Sequence, residues 1–481
     1  MENNPDPKYK WKVMLAVSIG IFMATLDGSI VNIALPTLSR LFDTDISTIS
    51  WVILSYLLTI TTFLLTLGRL SDMYGRKKVF AGGLLVFSLG SGLCSLSTSV
   101  GQLIAFRIVQ GFGAAMILAT STAIVTFSFP HTERGKAMGI IGTIVSVGSM
   151  TGPVLGGFLI DLVGWQSIFY INVPIGIFAS AYSLKVLESE EVHKGQKFDI
   201  PGAFFMFICV MSLMLAITQG QGMGWNSPLI IGLFSIFVIA LMIFLYIENK
   251  ASQPMVELSM FKHRPFSASN ASSYLSFVAM FTIILMMPYY MEEVLNYSTI
   301  HVGMTLIAIP LVMAVVAPVS GWLSDKTNSF MLSSLGMVIT CVALYMLGIL
   351  DQNSTQFDIV IGLGLVGLGM GLFQSPNNSI IMGSVPVNRL GIAGSLLGIM
   401  RNLGMITGIA ISSAVFTRGV DLQEALGASH IPAFLTGYHD AFMVAVAVCT
   451  LGVLTSMVRG DRHGPNEGRR QKTDHSKPKK M

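Results

Sequence analysis

Fourteen separate stretches of mostly apolar residues divide this chain, and their number limits what it can fold into. A helix that crosses a membrane needs about 20 such residues. The stretches cover roughly residues 14–34, 48–68, 79–99, 101–126, 136–160, 165–187, 200–219, 228–248, 268–290, 301–323, 330–350, 356–382, 391–417 and 437–459. Only 11% of the 481 residues are charged, against roughly 25% in soluble proteins. The sequence therefore predicts an all-α polytopic membrane protein without a large soluble domain.

The positively charged residues predict how the chain is oriented. If both termini lie on the inner side, 25 of the 29 Lys and Arg residues fall in inner segments, and only Arg40 and Arg418 fall in outer ones. Cytoplasmic loops carry this excess. We therefore expect a cell-membrane protein with both termini in the cytoplasm, an N-terminal segment at 1–13 and a basic tail at 460–481. Such a tail is typical of a segment attracted to anionic lipid, and no nucleic-acid partner is expected.

An internal repeat indicates how the helices are grouped. The pentapeptide Gly68–Asp72 (GRLSD) at the end of the second span is echoed by Gly321–Asp325 (GWLSD) at the end of the tenth. Because six spans preserve orientation, the pattern predicts two parallel six-helix repeats, at 14–187 and 268–459, with two inserted helices at 200–248. Transporters built from such repeats place their site near the midplane between the halves.

Five segments resemble the major facilitator superfamily. The loop Gly68–Lys78 resembles the signature loop of that superfamily, and Arg107–Ala115 resembles its fourth-span motif. The segment Gly148–Gly157 resembles the fifth-span motif of drug antiporters. The segments Leu26–Pro36 and Trp165–Gly176 are similar to motifs of the fourteen-span drug:proton antiporter family. The resemblance covers nearly the whole chain, and the motifs follow the expected order.

This resemblance implies a transporter rather than an enzyme, one that exports drugs or other amphipathic compounds in exchange for protons by alternating access. No cofactor is expected, because neither an HExxH metal motif nor a GKS/T phosphate loop occurs and the proton gradient would supply the energy. The expected partners are the substrate, protons and the bilayer, and the chain is expected to act as a monomer. A dedicated exporter of a peptide, siderophore or organic anion, or a non-transporting sensor or scaffold, are the alternatives.

Asp27 is the best candidate for proton coupling, because it is the one charged residue of the first span. Burying a carboxylate there costs about 2.5–3.5 kcal/mol on insertion scales. Arg107 lies in the fourth span, and counting about 1.5 Å per residue places both groups about 10 Å below the outer surface. We interpret them as a pair in which Arg107 favours the charged carboxylate in one state and separation favours protonation in the other. A permanent structural ion pair is the alternative.

The loop Gly68–Lys78 has, by the resemblance, the role of a gate. Asp72 would accept hydrogen bonds or meet a helix end, while Arg76 and Lys77 would hold the inner gate and Gly75 completes the motif. The alternative is that these charges only set the orientation of the chain.

The fifth span carries a face of small residues, with Gly148, Gly152 and Gly156 four residues apart and Pro153 and Gly157 beside them. Such faces let helix backbones approach closely, and proline can bend a helix. The resemblance favours a tight, bendable seal between the two halves, and ordinary helix packing is the alternative.

Arg401, Asn377 and Glu292 are candidates for substrate contact. Arg401 lies near mid-depth in the thirteenth span, and no acidic residue lies at that depth in spans ten to fourteen to meet it. It can bind carbonyl groups, a nearby amide such as Asn377, or an anionic group on a substrate. Glu292 and Glu293 follow the ninth span, where a solvated helix end and a cation-attracting vestibule are both open interpretations.

Overall fold

The computed structural model describes residues 7–44, 46–188, 199–251, 254, 256, 258–297 and 299–457. Within these residues the secondary structure is helical, and no strand occurs in them. The expected basic tail at 460–481 and residues 1–6 of the N-terminal segment lie outside the described residues.

In the part of the chain that the structure describes, fourteen long helices follow one another, and each overlaps one predicted span. The N-terminal half contains α1 (Pro7–Leu41), α2 (Ile46–Tyr74), α3 (Arg76–Ser95), α4 (Val100–Ser128), α5 (Arg134–Val163) and α6 (Ser167–Val186). The inserted pair is α7 (Ile200–Met223) and α8 (Pro228–Lys250). The C-terminal half contains α9 (Arg264–Val294), α10 (299–326), α11 (Ser329–Gly348), α12 (Gln356–Gly383), α13 (Leu390–Ala425) and α14 (His430–Ser456). Among the described residues, 13 helices are long and apolar enough to cross a membrane, and α5 is a further helix of 30 residues. The predicted all-α polytopic fold is confirmed.

Two of the helices are interrupted, and proline accounts for both interruptions. In α6 the regular helix stops at Tyr170 and resumes at Asn172, and in α10 it stops at Leu306 and resumes at Ala308. Proline has no N–H to donate to the carbonyl four residues earlier, and Pro174 and Pro310 stand four residues after the two stops. After the break in α6, the helix restarts at Asn172.

The two halves use the same helix pairing, as the repeat predicts. In the N-terminal half, Gly148 and Gly152 of α5 lie against Thr25 and Ser29 of α1. In the C-terminal half, the corresponding glycines of α13, Gly404 and Gly408, lie against the backbone of α9. Small residues at these crossings let the helix backbones come together. The pairing of α1 with α5 therefore recurs as the pairing of α9 with α13.

The inserted helices lie on one seam of the molecule, where α7 contacts both halves. Val210 and Met214 of α7 form an apolar cluster with Leu58 of α2, against which Leu403 of α13 also packs. The outer helix α8 packs on α7 and exposes much of its apolar surface, including Ile231, Val238, Ile239 and Met242. Most of α8 therefore faces the surrounding lipid, while α7 bridges α2 and α13.

The halves are joined at the end that carries the basic loops, which we call the basic-loop end. One apolar cluster there contains Leu67 of α2 and Ala137 of α5 together with Ile392 and Leu396 of α13. Since residues from both halves share this cluster, the structure shows the halves closed against each other at the basic-loop end.

Candidate functional site

A fully buried ion pair lies inside the N-terminal half. Arg107 Nη1 of α4 donates a hydrogen bond of 2.5 Å to Asp27 Oδ2 of α1. Both side chains are 0% exposed. The sequence estimate that Asp27 and Arg107 lie at equal depth agrees with their direct contact in the structure. The role of the pair in proton coupling stays a prediction.

Two buried amides complete the surroundings of the carboxylate. Gln110 Nε2 of α4 donates to Asp27 Oδ1 over 2.8 Å, and Asn172 Nδ2 of α6 donates to the same oxygen over 3.2 Å. Both amides also donate to Ser91 Oγ of α3 over 3.1 Å. The carboxylate therefore joins four helices, because each donor comes from α4 or α6 and the shared hydroxyl comes from α3.

The guanidinium of Arg107 has further contacts besides the carboxylate. Its Nε donates to the Val52 carbonyl over 3.0 Å, and Nη1 also donates to Gln110 Oε1 over 2.7 Å. The Tyr56 ring lies 4.0 Å from the guanidinium carbon, a distance suited to a cation–π contact. Within the described residues, Nη2 has no hydrogen-bond partner. The arginine is thus held against α2 independently of the charge on Asp27.

The local sequence explains how Asn172 reaches this site. Because α6 is interrupted at Ile171, the helix restarts at Asn172 and the chain before it turns. The carbonyl of Phe169 then accepts a hydrogen bond of 2.9 Å from Ser91 Oγ. This contact anchors the turn to α3 and directs the Asn172 amide to the carboxylate.

Sequence reasoning identified the ion pair but missed its uncharged partners. Gln110 lies inside the segment Arg107–Ala115, and Asn172 lies inside Trp165–Gly176, both of which resemble family motifs. Their position in those motifs was the available signal. Hydropathy gives none, because an amide does not interrupt an apolar span as a charge does.

The arrangement can hold a proton away from water and couple it to helix packing. A charged Asp27 pairs with Arg107 and accepts hydrogen bonds from both amides. A neutral Asp27 would weaken the charge-assisted contact, which is roughly twice as strong as a neutral hydrogen bond. Proton exchange requires the site to open, since no part of the carboxylate is exposed. A change in the protonation of Asp27 would therefore require α1 and α4 to move apart, and the coupling role stays a prediction.

Asp72 lies at the contact between the halves. It accepts hydrogen bonds from the Gly391 and Ile392 N–H groups of α13, over 3.2 and 3.3 Å. Arg76 Nη2 donates to Asp72 Oδ1 over 2.8 Å and to the Val387 carbonyl over 2.7 Å. An acidic group at a helix N-terminus is favoured by the unpaired N–H groups and the helix dipole. The contact expected of a gate is present, and the gating role stays a prediction.

The repeat produces a second contact of the same kind. Asp325 of α10 accepts from the Gly135 and Lys136 N–H groups of α5, over 2.8 and 3.0 Å. Gly68 crosses Gly391 at the first contact, and Gly321 crosses Gly135 at the second. The sequence echo between the two pentapeptides therefore corresponds to two equivalent carboxylate–helix contacts, one on each side of the interface between the halves.

Gly75 and Lys77, two other members of the predicted gate, contact their own half of the protein. Gly75 separates α2 from α3 with a φ of 97°. Residues other than glycine rarely adopt this backbone conformation. Lys77 lines a small cleft with Tyr9, Phe127 and Glu188, all from the N-terminal half. Arg76 thus contacts the other half, whereas Lys77 faces its own half.

The glycine face of α5 packs within one half, so the predicted seal between the halves is wrong for these residues. Gly148, Gly152 and Gly156 lie against Thr25, Ser29 and Ile30 of α1, respectively. Gly157 has no neighbouring atom within 4 Å of the position of an added Cβ, and Pro153 lies within the same helix. The glycines fit the structure as a close crossing of two neighbouring helices.

A second small-residue face of α5 makes the contact with the other half. Gly135 lies against Gly321 of α10, and Gly139 lies against Ala317 and Pro318. With 3.6 residues per turn, the two faces of α5 point in different directions. The sequence pattern showed close packing but not which helix each face meets.

The candidate substrate contacts lie in three different places. Asn377 is buried, and its Nδ2 donates to the Ser269 carbonyl of α9 over 3.1 Å. Glu292 and Glu293 are exposed in a π-helical turn that ends α9. Arg401 is partly exposed on α13. The structure therefore does not bring these four residues into one site.

Substitution of Gly152 tests the crossing of α1 and α5 beside the ion pair. A Cβ at Gly152 would stand 2.9 Å from the Ile30 nitrogen and closer still to Ser29. Gly152→Ala should therefore separate the two helices and cost about 1–3 kcal/mol of stability, the usual range for overpacking. Thermal unfolding of the purified protein in detergent measures the loss.

Gly157→Ala is the matched control, because no atom lies within 4 Å of the added methyl group. It should unfold at the wild-type temperature or slightly above it, because alanine favours the helix over glycine. Equal unfolding temperatures for the Gly152 and Gly157 variants would contradict the close crossing.

Comparison with known proteins agrees with the fold. The family model of the Major Facilitator Superfamily matches residues 17–409. Riboflavin transporter RibZ of Clostridioides difficile is 35% identical over 94% of this chain and 97% of its own. Multidrug resistance protein Stp of Mycobacterium tuberculosis is 31% identical over 84% of this chain and 75% of its own. Among solved structures, the human organic anion transporter MFSD10 superposes with a TM-score of 0.67, at 15% identity, covering 94% of this chain and 100% of that one.

The chain belongs to the major facilitator superfamily. It is a multi-pass membrane transporter and not an enzyme. The predicted fold class is confirmed, and a non-transporting sensor or scaffold is no longer favoured. The likeness to MFSD10 supports the fold alone.

Proposed function

We propose that this protein exports amphipathic compounds across the cell membrane in exchange for protons. The observation that carries the proposal is the buried carboxylate of Asp27, which contacts Arg107 and two amides from separate helices. Buried ionisable groups are costly inside a membrane and mark proton relays in transporters. Several relatives are named multidrug resistance proteins, which supports export of drugs in particular.

Alternating access would follow from the two carboxylate–helix contacts. While Asp72 and Asp325 hold the helix ends of the opposite half, the basic-loop end is closed. Protonation of Asp27 would change the packing of α1 against α4 and help the halves to rock apart. The energy comes from the proton gradient, no cofactor takes part, and the protein acts as a monomer with both termini in the cytoplasm.

A dedicated transporter of one metabolite, such as riboflavin, is the second candidate. The 35% identity to RibZ extends over almost the full length of both chains. A broad set of transported compounds would favour multidrug export, and transport of riboflavin alone would favour the second candidate.

Transport by purified protein in liposomes tests the proposal. With a pH gradient imposed, an antiporter moves its substrate toward the acidic side, because protons flow away from that side. Ethidium, a permanent cation that does not accumulate passively as weak bases do, and riboflavin are the two probes. Protein-free liposomes are the control. Accumulation on the alkaline side, or no dependence on the pH gradient for either probe, would overturn proton exchange.

A further inference from the structure

Arg401 is a cation at the twelfth of the 36 residues of α13, and the described residues of the C-terminal half give it no partner. Among the described residues, no ion pair, hydrogen bond or aromatic contact involves its guanidinium. The side chain is partly exposed. Arg107, by contrast, contacts a carboxylate, a carbonyl and a ring. Charged groups at such depth normally have partners or line a water-filled space.

The contacts of neighbouring residues on α13 show where Arg401 lies. Gly394 is seven residues earlier and therefore on nearly the same face of the helix. A Cβ there would stand 3.6 Å from Thr122 of α4, so this face is turned toward the opposite half. Arg401 lies about 10 Å further along, away from the closed basic-loop end.

Residues on either side of Arg401 fix the rotation of the helix. Asn402 Nδ2 donates to Thr61 Oγ1 of α2 over 2.7 Å, and Gly398 lies against Leu64 of the same helix. On the other side, Gly404 lies against the Tyr274 carbonyl of α9, 2.6 Å from an added Cβ. Arg401 therefore faces the space between α2 and α9, where the two halves meet.

The positive charge of Arg401 has no counterpart at the equivalent position of the N-terminal half. The register that matches Gly391 with Gly135 and Gly404 with Gly148 also matches Arg401 with Val145 of α5. Val145 packs against the apolar cluster that the two halves share. The repeat thus does not require a cation at this position for packing, because the equivalent position holds an apolar side chain.

We infer that Arg401 binds the anionic group of an amphipathic substrate in the space between the halves. The inference rests on the proposed export function and adds the chemical class of one substrate group. A guanidinium can donate two parallel hydrogen bonds to a carboxylate or sulfonate. The proton-coupling carboxylate and the substrate-binding cation then belong to different halves.

Export of two probes of opposite charge tests the inference. The probes are anilinonaphthalene sulfonate, an amphipathic anion, and ethidium, an amphipathic cation. Arg401→Gln should raise the KM for the sulfonate about tenfold, as loss of a charge-assisted hydrogen bond predicts, and leave the KM for ethidium unchanged. Arg401→Lys should keep part of the sulfonate transport, because it keeps the charge and loses the paired donors.

Arg418→Gln is the matched control, since it removes one cation from an exposed position of the same helix and should transport both probes as the wild type does. The inference is overturned if the wild type does not transport the sulfonate, if Arg401→Gln leaves its KM unchanged, or if both probes lose transport equally. Ethidium transport driven by protons would in each case leave the proposed function standing.

Discussion

Asp27→Asn is expected to abolish uphill export while allowing substrate to flow down its own gradient. Asparagine is close to aspartate in shape and can still accept from Arg107 Nη1, which now bonds Asp27 Oδ2 at 2.5 Å. It cannot take up a proton. The halves can therefore still rock, but their movement is no longer tied to the proton gradient. Transport into liposomes with and without a pH gradient measures the two activities separately.

Two further variants make this result specific. Asp27→Glu keeps a titratable group and should retain part of the uphill transport. Asp421→Asn removes an exposed carboxylate from α13 and should behave as the wild type. Unfolding temperatures of all variants must be compared, because removing one partner of a buried ion pair can cost about 3–5 kcal/mol. A well-folded Asp27→Asn protein that builds the wild-type substrate gradient would contradict a coupling role.

Gly391→Val is expected to keep the halves from closing at the basic-loop end. A Cβ at Gly391 would stand 2.6 Å from the Gly68 carbonyl and 2.8 Å from Asp72 Oδ1. Backbone atoms of two helices cannot move apart there without loss of the Asp72 contact. Transport should fall about tenfold or more, in line with an overpacking cost of about 1–3 kcal/mol on one state of the cycle.

Spin labels on the two halves report the closure directly. Tyr74 at the end of α2 and Met331 at the start of α11 are both exposed and can be replaced by labelled cysteines. Their separation should increase in Gly391→Val and in the equivalent Gly135→Val. Gly383→Val is the control, because nothing lies within 4 Å of an added Cβ at that position. An unchanged separation in Gly391→Val would mean that this crossing does not control closure.

The sequence predicts the helical fold and the ion pair because both depend on strong local signals. Lipid imposes a minimum apolar length on each crossing, and a single carboxylate in such a stretch stands out. Depth alone then pairs Asp27 with Arg107, since the rise per residue is fixed. The repeated pentapeptide likewise indicates that Asp72 and Asp325 occupy equivalent positions.

The remaining features depend on contacts between distant helices, which spacing does not reveal. Hydropathy and spacing do not distinguish Gln110 and Asn172 from packing residues, and only their places in the two family-like motifs point to them. The α5 glycines predict a close crossing, but two small-residue faces on one helix leave its partners undetermined. The placement of α7 on both α2 and α13 likewise follows from tertiary packing.

Proton release on substrate binding is the most direct test of the coupling site. Purified protein in lightly buffered detergent solution, mixed with ethidium, is followed by a pH-sensitive dye. The wild type should release protons, and Asp27→Asn should bind ethidium without releasing any. Equal release from both proteins would contradict the assignment of the exchanged proton to Asp27.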